Sequence, residues 1–414
     1  MSIGVGGYSE QEALGELRDM TDEVQPIQIE EYQARIRKAQ VLMKQQGISV
    51  VFLNAGTNLN YFTGTEWCAS DRLVGALLPA KGEIEYIVPH FEVDTLRAFA
   101  RIQAPMITWH EDENPQKLVI DRLAQLKVKS GDFAIDESLA FFGFDGFRQC
   151  SSQFNFVNAK SITAQCRMIK SSSELFLMQQ AVNMTFEVIK ATAKFLHQGI
   201  SAQQVAEFID LAHQRVGAKG SSFCIVLFGV DSSFPHGVKS PKSLELGEIV
   251  LIDTGCLVEG YNSDITRTFV FGESNQRQQE IWAIEKQAQV MAFERAQLGV
   301  PCGDVDLAAR DYIASQGLGP NYEVPGLPHR TGHGTGLDIH EWPYLVKNDR
   351  TPLATGMCAS IEPMLVIPEE FGVRLEDHFF MTDEGPQWFS LPSHSIEDPF
   401  GYESQSGVTI TEGR

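Results

Sequence analysis

Positive charge is scarce in this chain of 414 residues: 33 Lys and Arg stand against 54 Asp and Glu, a formal net charge of −21. Phosphates would be repelled by such a surface, which argues against a nucleic-acid binder. Long apolar runs are missing too. No stretch reaches the ~18 residues that a membrane-spanning helix needs. The opening "MSIGVGGYSEQEALGELRDMTDEVQP" has neither the basic nor the apolar region of a secretory signal, so residues 1–26 read as a polar leader. Cysteine is sparse and scattered: seven residues, an odd number, with no CxxC. That pattern fits buried reduced thiols in a cytoplasm better than a disulfide framework. Tandem repeats and low-complexity segments are absent as well. What remains is ordinary globular sequence, long enough for two or three domains at ~100–200 residues each.

The first part of the chain alternates. Residues 28–46 read as a helix closed by Gly47, followed by the strand "ISVVFLN" and a turn at "YFTG". "LVGALLPA" and "EIEYIVP" read as strands around "KGE", a helical pattern runs from Phe91 to about Ala104, and "FAIDES" is a further strand. These make a small α/β domain over residues 27–165. From residue 166 to 414 the texture changes. Ser171 with Glu174 forms a capping box, with Gly199 at the far end of its helix. Ser201 and Gln204 open a second helix ending at Gly217; a third runs from Ser274 to Leu298, stopped by Gly299 and Pro301. Hairpin-like strands fill 223–271 and 357–391, giving an α+β domain.

Chemistry concentrates in that second domain. "HRTGHGTGLDIHE" places His329, His333 and His340 on a glycine-bent loop that runs into a strand, where something must approach the backbone closely. In "GEIVLIDTGCLVEGYNSDITRTFVFG", two β-rich runs flank the turn "VEGYN". A hairpin centred between Val258 and Glu259 sets Asp253 opposite Asp264, with Cβ atoms ~4.5–5.5 Å apart. The pattern recurs in "ASIEPMLVIPEEFGVRLEDHFFMT": folding about Glu369 sets Glu362 opposite Glu376. Paired acids inside apolar strands call for a cation or a shared proton. Four carboxylates balance two divalent ions, which at ~3.5–4 Å apart would share a bridging hydroxide. Oxygen-rich ligation with one imidazole favours Mn²⁺, with Co²⁺, Fe²⁺ or Zn²⁺ as alternatives. Isolated histidines such as His90, His110, His197 and His213 read instead as surface or core residues.

These residues resemble a known family. "FGVDSSFPHG", "LIDTGCLVEGYNSDITRTFVFG", "HRTGHGTGLDIHE", "IEPML" and "GVRLED" are similar to the motifs of the pita-bread metallopeptidases, and within them the Xaa-Pro peptidases. The resemblance covers essentially the whole chain and implies a creatinase-like N-terminal α/β domain followed by a pita-bread catalytic domain. It assigns five metal ligands: Asp253, Asp264, His333, Glu362 and Glu376. His236, in "PHG", corresponds to a hydrogen-bond donor for substrate or transition state. His329 and His340 correspond to histidines lining the substrate pocket, and Arg374 to a supporting arginine.

The implied reaction is hydrolysis of an Xaa-Pro amide by metal-activated hydroxide, with Glu362 also moving a proton. The same scaffold hosts other chemistry. Metal-free creatinase-like C–N hydrolases are disfavoured by an intact ligand set, metal-dependent dimethylsulfoniopropionate lyases by the histidine of "GLDIHE", and non-catalytic binding proteins by the absence of any lost ligand. The resemblance further implies a homodimer. In it, Trp67 or Arg72 from "GTEWCASDR" would help close the neighbour's pocket, unless Trp67 packs within its own domain.

Overall fold

The computed structural model describes residues 2–405. The chain forms two compact units, one of Pro26–Arg167, the other of Met1–Gln25 together with Met168–Arg414. The leader is therefore part of the larger unit. Ser2 N donates to Gly272 O at 2.9 Å, Ile3 N to Glu397 O at 2.7 Å and Gly6 N to Ala193 O at 2.8 Å. Ala13 and Leu17 are buried.

The smaller unit is built on a six-stranded sheet of β1 (Ile48–Asn54), β2 (Gly75–Pro79), β3 (Glu85–Pro89), β4 (Met106–Trp109), β5 (Gly131–Ile135) and β6 (Phe154–Asn158). The order is β4-β3-β2-β1-β5-β6. The strands β1, β2 and β3 pair antiparallel, while β4, β5 and β6 join parallel. The apolar run of β1 is buried on both faces, as a central strand under helices requires. Val50, Phe52 and Phe133 meet Val119 and Leu123 of helix Pro115–Gln125 and Phe147 of helix Phe141–Cys150. Helix Ile29–Gln46 ends as expected at left-handed Gly47 (φ 73°). The segment read as a turn at "YFTG" is instead the end of helix Thr57–Thr63, and its glycine, Gly64 (φ 66°), is that helix's cap. The Phe91–Ala104 pattern shrinks to helix Val93–Phe99, because Ala100 turns extended.

In the larger unit both capping boxes form, at Ser171/Glu174 and Ser201/Gln204. The first helix, Ser172–Phe195, leaves helical geometry at Leu196, before Gly199. The second, Ala202–Arg215, ends at Val216 beside Gly217. Helix Gln276–Arg295 starts from an Asn275/Gln278 box, two residues after the expected Ser274. Pro301 does not merely end that region; it caps a further helix, Cys302–Ser315, that the sequence reading missed.

Three antiparallel layers carry the strands. β7 (Phe223–Phe228), β8 (Glu248–Gly255) and β11 (Ile265–Phe271) run in the order β11-β8-β7, with the two-residue strands β9 (Leu257–Val258) and β10 (Tyr261–Asn262) extending the hairpin. β12 (Gly332–Gly334), β13 (Glu341–Leu345), β14 (Cys358–Ile361), β17 (Asp377–Thr382) and β18 (Gly385–Trp388) run β13-β12-β14-β17-β18. β15 (Met364–Ile367) and β16 (Phe371–Arg374) form a separate hairpin. Ile249, Leu251, Val270, Ile361 and Phe379 pack with Trp282, Ala288, Val305 and Ala309 of the last two long helices in one core.

Candidate metal centre

The two acid-bearing hairpins differ in register. Asp253 on β8 pairs with Thr266, not with Asp264. The turn is Glu259–Gly260, both at positive φ (48° and 84°), which is the two-residue geometry that matches strand twist. The expected centre was one residue too early, so the partner moved by two and the face stayed the same. Asp264 lies just before β11 begins. In the second hairpin the expected register holds. Ile361 pairs with Asp377 and Met364 with Arg374, so Glu362 and Glu376 face each other at the gap between the two ladders.

His333 sits in the middle of the short strand β12, which pairs with β13 and β14. Its flanking glycines serve this sheet. A Cβ on Gly332 would fall on the Ser360 carbonyl oxygen, and one on Gly334 would lie 2.6 Å from the carbonyl oxygens of Glu341 and Trp342. The close approach inferred from those glycines is thus strand against strand. His333 Nδ1 donates to Gly334 O at 3.0 Å, which leaves Nε2 as a lone-pair donor. That Nε2 lies 3.2 Å from Glu362 Oε1, 3.7 Å from Asp264 Oδ2 and 3.9 Å from Glu376 Oε1.

Arg374 ties the hairpins together. Its Nη2 pairs with Asp253 Oδ2, its Nε donates to Thr266 Oγ1 at 3.1 Å, and its Nη1 donates to Pro235 O at 3.2 Å. Thr266 Oγ1 in turn donates to Glu376 Oε2 at 2.9 Å. Beneath them lies Arg267, wholly buried, which pairs with Asp377 at 2.7 Å and donates to Glu376 O at 2.9 Å. Neither Thr266 nor Arg267 was singled out from the sequence. Thr266 was legible in principle, two residues beyond Asp264 on the same strand face.

The electrostatics suit a bound cation. Burial, then the neighbouring Glu376, Asp253 and Glu362 charges, push the Asp264 carboxyl well above the usual carboxylate range. Glu376 is raised by burial and the Glu362 and Asp253 charges. Burial opposes ionisation of Glu362 as well, but the His333 imidazole beside it, with His329 and Arg374, holds it down to about 2. Several buried donors point at no protein partner: Asp253 Oδ1, His333 Nε2, Glu376 Oε1 and both ring nitrogens of His378. Ligand atoms of His333, Glu362 and Glu376, and those of Asp264, Glu376 and His378, lie within 4.8 Å of one another. Unsatisfied buried oxygen and nitrogen donors converging in this way fit a divalent cation.

Around this cluster stand the other histidines. His340 is exposed and packs edge-on against His333, ring centroids 4.2 Å apart; burial of part of its ring and the His333 charge push it down to about 4. His236, also exposed, is near enough to contribute to the His340 shift. His329 is half-buried, held by Nδ1 to Arg330 O at 2.7 Å, and lowered by burial. In the smaller unit, Trp67 packs edge-on against Phe99 at 6.1 Å, and Arg72 is held by Glu111 through two hydrogen bonds of 3.0 Å. Both residues are therefore engaged within their own unit. Among the described residues, the groups of histidine, cysteine and acidic side chains close enough to share an ion all fall in the larger unit.

Comparison with known proteins agrees with this geometry. Residues 177–383 match metallopeptidase family M24, and residues 35–169 match the creatinase/prolidase N-terminal domain. The chain is 30% identical over 352 residues to an Xaa-Pro dipeptidase of Pyrococcus furiosus, covering 85% of this chain and 96% of that protein. Among solved structures it resembles the dipeptidase PepE of Mycobacterium ulcerans (TM-score 0.83, 29% identity, 90% of this chain and 98% of that one). It also resembles a prolidase of Thermococcus sibiricus (TM-score 0.79, 28% identity, 87% and 97%). A matching catalytic region, a matching N-terminal domain and a relative aligned over most of both chains make this protein a member of metallopeptidase family M24, with the two-domain, pita-bread architecture of the prolidases.

Proposed function

We propose that this protein hydrolyses the peptide bond preceding proline in Xaa-Pro substrates, using two divalent ions held by Asp253, Asp264, His333, Glu362 and Glu376. The observation that carries this reading is the convergence of Asp264, Glu362 and Glu376 on the His333 imidazole, with Asp253 held beside them by Arg374 and buried donor atoms left unpaired. When bound, the ion pair supplies an activated water and polarises the scissile carbonyl. Glu362, whose side chain is 14% exposed, is the acid best placed to take a proton from that water at a carboxylate oxygen and return it to the prolyl nitrogen. His340, neutral because burial lowers it, and His236 beside it donate ring N–H groups to the carbonyl oxygen as charge develops there. His329 lines the substrate pocket, and Arg374 fixes Asp253 and, through Thr266, Glu376.

Oxygen-rich ligation makes Mn²⁺ the first candidate, ahead of Co²⁺, Fe²⁺ and Zn²⁺. Seven cysteines with no disulfide among them support a reducing cytoplasm, and no described helix is long and apolar enough to cross a membrane. The working form is a homodimer, which sedimentation at low micromolar concentration checks; a fully active 46.0 kDa monomer overturns it. Product analysis with Xaa-Pro and Xaa-Pro-Yaa peptides plus Mn²⁺ tests the function. Release of the residue before proline, abolished by a chelator and restored by Mn²⁺, is expected. Hydrolysis of neither peptide class by the Mn²⁺-loaded protein overturns it.

A further inference from the structure

We propose that His378 is a second imidazole donor to the metal centre, beside His333. The inference rests on the ligand reading above. His378 is wholly buried on β17, and neither of its ring nitrogens has a hydrogen-bond partner. One of them lies within 4.8 Å of ligand oxygens of both Asp264 and Glu376. A buried imidazole without partners on either nitrogen costs folding free energy unless something outside the protein's own polar groups satisfies it.

The sheet explains the placement. His378 follows Glu376 by two residues, so both side chains emerge on one face of the strand. It pairs across the ladder with Ser360 on β14, and Ser360 Oγ accepts from His333 N at 3.1 Å. β12 and β17 flank β14, so His333 and His378 come from strands on either side of it. Asp264 and Glu376 lie within reach of both rings. Two nitrogens and the shared carboxylates form a set that a borderline divalent ion binds more tightly than an all-oxygen site.

Pulsed EPR of the Mn²⁺-loaded full-length protein, counting coupled imidazole ¹⁴N nuclei, tests this, with titration of the metal-free protein by Mn²⁺ alongside. The wild type is expected to show two coupled nitrogens. H378Q should lose one and bind Mn²⁺ more weakly at one site. H340A should keep both nitrogens, which also decides the matter if H378Q does not fold. A single coupled nitrogen in the wild type, or loss of the second in H340A, overturns the proposal. So does weaker binding in H378Q with an unchanged nitrogen count, since a residue that only hydrogen-bonds a ligand gives that result. A wild type that binds no Mn²⁺ at all overturns the five-residue ligand reading, and this inference with it.

Discussion

The two hairpins that carry the acids solve one problem in different ways. In β8–β11 a two-residue turn sets the register, and the carboxylates are offset along the face: Asp253 pairs with Thr266, and Asp264 lies beyond the ladder. In the second hairpin a three-residue turn, with Glu369 at φ 65°, keeps Glu362 directly across from Glu376. There the ladder breaks, so that β14–β17 belong to one sheet and β15–β16 to another. An offset pair shares its repulsion with a bridging arginine, whereas an opposed pair needs a gap in the backbone pairing. Side-chain face is therefore the robust property of an acid-bearing strand, and register the fragile one.

The contrast breaks most visibly at the acids themselves. Asp264→Asn in the first hairpin and Glu362→Gln in the second should each strip metal and lower activity by ~10³-fold, as a loss of several kcal/mol of charge stabilisation implies. Metal analysis of the purified variants alongside turnover checks this; full occupancy with normal turnover in either one removes that residue from the ligand set. Arg374→Met cuts the link between the hairpins. Leaving Asp253 buried without its cation should cost ~3–5 kcal/mol in denaturant unfolding of the metal-free protein. Added Mn²⁺ should recover part of that loss, and equal losses with and without metal would contradict it. His236→Ala leaves both hairpins intact, so metal content should stay at the wild-type level while kcat falls ~10²–10³-fold. A drop in metal content would make His236 a ligand instead. The smallest effect tests register alone: Gly260→Ala, at φ 84°, should destabilise the first hairpin by ~1–2 kcal/mol without changing metal stoichiometry.

Much of this centre was legible from the sequence because strand faces repeat every two residues. Asp264, His333, Glu362 and Glu376 come together in the larger unit, with Arg374 tying Asp253 to them through Thr266, and two capping boxes fixed the starts of two of its helices. What escaped was set by tertiary contact. His378 hides in an apolar run, where an imidazole reads as one more core position until its missing partners are seen. Arg267 sits in a β-rich stretch and reveals its role only through Asp377 and Glu376, more than a hundred residues away. The Glu259–Gly260 turn was misplaced because "VEGYN" offers more than one two-residue loop, and the preference of Gly260 for positive φ was given too little weight. Helices Pro115–Gln125 and Cys302–Ser315 begin with a proline at or just before their first turn, which is a start signal as readily as a stop.

The opening residues have a consequence for how the chain folds. Ser2 reaches Gly272 through its backbone and Ile396 through its hydroxyl, so this segment docks against segments some 270 to 394 positions further along the chain. The whole smaller unit lies between them in sequence. Contacts of such separation pay their loop-closure entropy late. The larger unit accordingly closes only after the segment around Ile396 has been made, while the smaller one, continuous from Pro26 to Arg167, is free to fold first as a unit.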